Sequence, residues 1–372
     1  MVPANDEDVD RAAYLSTPDK EDAFAARKKG PSPHTSSASA VGGDVIRQAV
    51  QDQGIFGETA NILCASWRDT TKQQYSTYLK KWKVFCVQRA CDPLQPTVNL
   101  VLEFLTELYQ SGLGYSAINT ARSAISSVLT VNEAKSIGSH PTICRFLKGV
   151  FELRTPLPRY SGLWDVNVLL KCFESLPENF RLNLKLLSQK LCALLMLTTA
   201  QRVQTLHVLK LSCICFESTG CTIKIVDKLK HTRQGYHQGD LKIGKYPESE
   251  KLCVIQCLLV YVEKTKSLRN NVDQLLLSIV KPYGPASKDT IARWLKTVLL
   301  DAGIDGFKAH SFRGVASSAM AKAGTSMQVI MKTAGWTNAA TFQRFYNKPV
   351  MKKDSTVGEK TNSILKYFES KK

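Results

Sequence analysis

The sequence predicts a mainly α-helical protein with one small antiparallel hairpin sheet, divided into two folded modules. Three observations predict it. Apolar residues recur at helical spacing along most of the chain after residue 58. Residues 211–246 alone switch to alternating apolar and polar positions, around a turn-rich HTRQGYHQG. Between the two helical regions, RTPLPRYSGL at 154–163 carries two prolines and a glycine and reads as a linker. A length of 372 residues fits two domains at about 150 residues each. With 44% hydrophobic and 22% charged residues, the chain is not fibrous, collagenous or wholly disordered.

Residues 1–57 are polar, mixed in charge and rich in Gly, Ser, Pro and Ala, as in GPSPHTSSASAVGG. They lack a sustained hydrophobic period and read as a disordered tail. The first module spans 58–152 and holds four helices. In TTKQQYSTYLKKWKVFCVQR, Thr71 and Gln74 have the spacing of a capping box. Tyr75, Tyr78, Trp82 and Phe85 then fall on one helical face, which reads as core rather than as a base-stacking platform. Helices follow at about 97–110, 115–130 and 141–153, the first ended by Gly112 and Gly114. The linker occupies 153–163, the second module 164–350 and a C-terminal tail 351–372. In the second module LKLLSQKLCALLML, at 184–197, is apolar nearly all round and reads as a buried central helix. CICFES, TIKIVDKLK and DLKIGKYP supply the strands. Helices resume at about 250–266, 288–302, 310–323, 326–334 and 339–346.

Fifty Lys and Arg oppose 32 Asp and Glu, a formal charge of +18. Residues 1–58 carry a net −4, so the body from residue 59 carries +22. A folded body this basic attracts polyanions, nucleic acid first among them. Eleven scattered cysteines without a CxxC pair read as reduced thiols of an intracellular protein. No secretory signal is visible at MVPANDEDVD, and the longest uncharged apolar stretch, Leu191 to Gln201, is too short to span a bilayer. The expectation is a soluble protein with no membrane partner. The Arg27–Lys29 run adds a weak nuclear address. Cys213, Cys215, Cys221, His231 and His237 fall within 25 residues and raise the question of zinc. They lack the usual ligand spacing, and Cys213 and Cys215, two apart on a strand, read as buried thiols. Cys253 and Cys257 read as core.

Four separated pieces carry chemistry: Arg202 after the buried helix, Lys230 at the expected hairpin tip, His310-Ser-Phe-Arg313 opening a helix, and Trp336 followed by Tyr346. Each alone has an ordinary structural explanation. Their order and spacing resemble the tyrosine recombinase (phage-integrase-like) family. TTAQRVQTLHVL places Arg202 in the family's T-x-x-R-x-x-x-L context. Lys230 fits the hairpin lysine, with Lys228 one strand period away as the second choice. His310 and Arg313 match HxxR, Trp336 matches the position before the nucleophile, and Tyr346 matches the nucleophile. AHSFRGVASSA and AGWTNAATFQRFYNK look most like recombinases of DIRS-like and Ngaro-like eukaryotic retroelements and of related domesticated genes.

The resemblance implies a SAM-like core-binding domain at 58–152 and a recombinase catalytic domain at 164–350, together forming a C-shaped clamp on double-stranded DNA. It implies transesterification. Tyr346 Oη attacks phosphorus, a 3′-phosphotyrosyl bond forms and a 5′-hydroxyl leaves. Arg202 and Arg313 clamp the non-bridging oxygens, since guanidinium forks match phosphate. His310 acts as general base or phosphate donor, Lys230 as general acid, and Trp336 donates Nε1–H or buttresses the pocket. No cofactor and no metal are implied. DNA integration and recombination by a tetramer in the nucleus, as part of a transposable element, follow from the same likeness. Ile364, Leu365 and Phe368 in the tail are expected on one helical face that docks into a neighbouring subunit. A domesticated DNA-binding protein without strand exchange, and a type IB topoisomerase-like nicking-closing enzyme, are the two rival readings.

Overall fold

The computed structural model describes residues 46–129, 136–157, 160–230, 232–336, 339–345 and 350. The chain divides into two compact units at Arg159/Tyr160.

The first unit is helical. Its described helices are α1 (Gly57–Ala65), α2 (Asp69–Gln88), α3 (Val98–Gln110), α4 (Tyr115–Val128) and α5 (Pro141–Leu153). Each of α2 to α5 lays one stripe into a common core: Leu79, Trp82 and Phe85 from α2, Val101, Phe104, Leu105 and Leu108 from α3, Ile118 and Ile125 from α4, Ile143 and Leu147 from α5. Trp82 stacks on Phe85 at 5.6 Å, and Phe104 meets both rings edge-on at 5.2 Å. Trp82 Nε1–H donates to the Pro93 carbonyl at 3.0 Å, so the aromatic stripe is core, as its spacing predicts.

Three expectations for this unit change. The residue preceding α2 is Arg68, not a capping hydroxyl, and Thr71 lies inside the helix. Asp69 takes the place of the cap by setting negative charge in the first turn. Residues 46–51 are helical, and Ile46 and Val50 are buried in the unit's core, so order begins before residue 58. With α1 added, the unit exceeds the expected four helices. The single Ile46–Val50 pair is too short a period to stand out in a polar tail.

The second unit holds α6 (Val166–Ser175), α7 (Leu184–Thr199), α8 (Val203–Val208), β1 (Ile214–Glu217), β2 (Gly220–Ile223), β3 (Leu241–Gly244), α9 (Val254–Thr265), α10 (Lys288–Asp301), α11 (Ser311–Lys322), α12 (Met327–Ala334) and α13 (Ala339–Phe345). Helix α7 is the hub: Leu187 through Met196 are buried without interruption, because α9, α10 and α11 all pack on it. The sheet is antiparallel in the order β1–β2–β3, with Cys215 opposite Thr222, Cys221 opposite Ile243 and Ile223 opposite Leu241. Cys221, Ile223, Leu241 and Ile243 face the core. Cys215 does not: it is exposed on the edge strand, and Cys213 is half-buried in a 3-10 turn before the strand begins. The expected pair of buried thiols is therefore absent there. Burial does push the Cys221 thiol up to about 11 and Cys257 to about 12, which makes these inert core groups. No group of His, Cys, Asp or Glu among the described residues is arranged to hold a metal, and His231 lies outside them. No helix among the described residues is long and apolar enough to cross a membrane.

The end of the expected linker belongs to this unit. Tyr160 stacks near Phe307 at 4.9 Å, and Leu163 and Trp164 are buried. Two aromatic rings and a leucine in the five residues 160–164 gain more by burial than a free linker would.

Candidate active site

The site begins where α7 stops. Ala200 takes the left-handed conformation (φ 50°), which turns the chain sharply and leaves Arg202 at the N-cap of α8. Arg202 is half-buried. The same turn presents the Ala200 carbonyl inward, where Arg313 Nη1 donates to it at 2.8 Å. Arg313 lies in the first turn of α11 and is fully buried. Its guanidinium sits over the Trp336 ring, 4.4 Å from the centroid. Trp336 follows Gly335, which ends α12 in the left-handed conformation (φ 71°), and its N–H donates to the Met331 carbonyl at 2.9 Å. Glycine is the residue for which that backbone is unstrained.

His310 caps α11 with helical backbone angles, and its carbonyl accepts the Arg313 N–H at 3.2 Å. The turn before it is propped from the start of the unit. The Lys308 N–H donates to Tyr160 Oη at 3.1 Å, and Trp164 Nε1–H donates to Ser311 Oγ at 2.9 Å.

Lys230 lies in the long excursion between β2 and β3. Its backbone N–H donates to Gln204 Oε1 at 3.1 Å, which ties it to α8 two residues after Arg202. The tip of the excursion is further on: Arg233 and Tyr236 exchange backbone hydrogen bonds of 3.1 and 2.9 Å around Gly235 (φ 76°). Leu229 is buried and its N–H donates to Thr232 Oγ1 at 2.9 Å. Lys230 is half-buried, whereas Lys228 is exposed. Of the two lysines, Lys230 is the one tied to the arginine-bearing helix.

Five of the six expected residues thus sit on segments joined by direct contacts: Arg202, Lys230, His310, Arg313 and Trp336. Tyr346 lies outside the described residues. Sequence reasoning missed the residues that join the segments. Gln201 is fully buried; its Nε2 donates to the Thr333 carbonyl at the end of α12, and its Oε1 accepts from Thr205 Oγ1 at 2.9 Å. Gln204, Tyr160 and Trp164 do the same work elsewhere. The legible signal was the pair of glutamines flanking Arg202 directly after an apolar run with no solvent face. Chemically, the joined segments carry guanidinium, imidazole and ammonium groups, residue types suited to stabilising an anion with several oxygens.

A mostly helical fold with a small three-stranded antiparallel sheet matches that of tyrosine recombinase catalytic domains. Residues 169–352 match the phage integrase family. The structure is similar to the XerH site-specific recombinase bound to palindromic difH substrate in a post-cleavage complex, with TM-score 0.56 and 13% identity over 83% of this chain and 91% of that one. The pre-cleavage XerH complex with difH gives 0.55 and 12%, over 88% and 95%. The Tn1549 transposon integrase in complex with transposon right end DNA gives 0.52 and 13%, over 88% and 99%. At these identities the likeness is one of fold. No curated protein matches the sequence.

Proposed function

We propose that this chain is a DNA-binding tyrosine recombinase that cuts and rejoins duplex DNA through a 3′-phosphotyrosyl intermediate. The observation that carries this reading is the buried cluster joining Arg313 to the Ala200 carbonyl and to Trp336, with Lys230 tied to the helix that Arg202 caps. Tyr346 Oη gives its proton to His310 as general base and attacks phosphorus, and the P–O5′ bond breaks. Arg202 and Arg313 hold the non-bridging oxygens of the transition state, and Trp336 packs against Arg313. The Lys230 ammonium gives its proton to the departing 5′-oxygen. Rejoining reverses the steps, so the phosphodiester energy is conserved in the covalent bond and no nucleotide is consumed.

The +22 net charge from residue 59 onward supports the duplex as partner, since lysines and arginines that replace condensed counterions make binding strongly salt-dependent. Work on two duplexes as a tetramer, a nuclear location and an origin in a DIRS-like or Ngaro-like mobile element complete the reading. The test uses the full chain with duplexes of randomised sequence carrying a nick. A covalent protein–DNA adduct on denaturing gels is expected, and Tyr346→Phe should abolish it. An adduct that persists in that variant removes Tyr346 from the role. Salt-sensitive binding with no adduct on any duplex would replace the enzyme with a binding protein.

A further inference from the structure

Resting on the reading of Lys230 as the general acid, we propose that Gln204 is a positioning residue that sets this lysine against the scissile phosphate. The excursion carrying Lys230 runs from the end of β2 at Ile223 to Leu241, a long connection for a sheet with four-residue strands. Such a segment has many conformations available, and a proton donor must be held within about one hydrogen-bond length of its acceptor. The excursion is fastened at separate points. Asp227 pairs with Lys210 Nζ at 2.9 Å on the outgoing leg, and Gln238 reaches the Lys332 carbonyl at 3.4 Å on the return. Between these, Leu229 is buried and the turn closes on itself through Thr232. At Lys230 itself the Gln204 contact fastens the main chain toward the site.

That contact links the main chain of Lys230, through the Gln204 side chain, to the helix that Arg202 caps. Gln204 stands two residues after Arg202 on a six-residue helix. Arg202 fixes the start of that helix and Gln204 fixes the main chain of Lys230. The contact takes the backbone N–H and not the ammonium, so it fixes the lysine's point of attachment beside the helix that Arg202 caps. Gln204 itself meets no reacting atom. In the cleavage step the proton passes from Lys230 Nζ to the 5′-oxygen as the P–O5′ bond breaks, and loss of Gln204 weakens only that transfer.

A leaving group that needs no proton separates this role from a structural one. Take a duplex that the wild type cleaves and replace the 5′-bridging oxygen at the scissile phosphate with sulfur. The thiolate leaves unprotonated, because its conjugate acid is far stronger than an alcohol. Gln204→Leu removes the acceptor at similar volume, and Gln204→Glu restores one. For Gln204→Leu, adduct formation on ordinary DNA should fall at least about fivefold and stay near the wild-type rate on the sulfur-bridged duplex. Amide exchange at Lys230 should accelerate by a similar factor, with thermal midpoint unchanged. Gln204→Glu should recover both. Unchanged exchange at Lys230, or an equal loss on both duplexes, overturns the inference while leaving the recombinase reading intact. A wild type that forms no adduct on any duplex overturns both.

Discussion

Two helices, one in each unit, end on an alanine held in the left-handed conformation. Ala90 (φ 52°) follows α2, and Ala200 (φ 50°) follows α7. For an L-residue with a side chain this backbone costs about 1–2 kcal/mol, and either site would accept glycine on conformational grounds. At Ala90 the strain closes a helix end at the surface, with the N–H of Cys91 returning to the Cys86 carbonyl at 3.0 Å. At Ala200 the same turn aims a buried carbonyl at Arg313. Identical local strain is a terminator in the first unit and a piece of the candidate site in the second.

The contrast extends to the cores. Buried polar or charged side chains described in the first unit are Ser76 and Ser116, whereas the second buries Gln189, Lys190, Gln201, Arg269, Arg313 and others. A buried polar group must find partners or destabilise the fold: Gln201 and Arg313 join segments of the candidate site, whereas Lys190 bonds Asn179 and Arg269 holds the Gln274 and Leu275 carbonyls.

Removing a buried cation from the site should give the largest effect. Arg313→Met should slow adduct formation by a factor on the order of 10²–10³, measured in single-turnover cleavage. A smaller loss would place Arg313 among structural cations and erase the contrast. Next, Leu105→Ala in α3 and Leu191→Ala in α7 remove fully buried side chains and should each cost about 2–5 kcal/mol. In calorimetry each should lower the transition of its own unit only; a common shift would mean that the units unfold together.

The pH dependence should also separate the units. Burial of Lys190, whose Nζ donates to Asn179 Oδ1 at 2.9 Å, lowers its pKa from 10.5. The unfolded chain then binds the extra proton more readily, so the stability of the second unit should rise as pH climbs from the folded-state pKa toward about 10.5. Lys190→Met should flatten that rise in urea titrations. The smallest effect is expected at the strained turns. Ala90→Gly should stabilise the first unit by about 1 kcal/mol, and Ala200→Gly should gain less, because its methyl is fully buried.

The helical periods of the first unit were readable because each helix keeps one polar face, so Trp82, Phe104 and Ile125 declare their side. Helix α7 was readable for the opposite reason, an apolar run with no polar face at all. The strands around Cys221 and Leu241 were legible as alternation, but Cys215 was not, since an edge strand leaves one face wet. At the site, residue types at fixed spacing pointed to Arg202, His310 and Arg313. Their spacing could not reveal Gln201 or Gln204, whose partners Thr333 and Lys230 are set by tertiary packing. The short helix at residues 46–51 was hidden because two buried apolar residues do not make a period.

Distance along the chain has a consequence for synthesis. Ala200 and Arg313 are 113 residues apart, and Gln201 and Thr333 are 132 apart. Met1–Arg159 forms a compact unit of its own, which can fold while the remainder is still on the ribosome. The cluster of the Ala200 carbonyl, Arg313 and Trp336 cannot close until translation has passed Trp336. A nascent chain therefore passes through a long interval with its basic helical module ready and the candidate site unassembled.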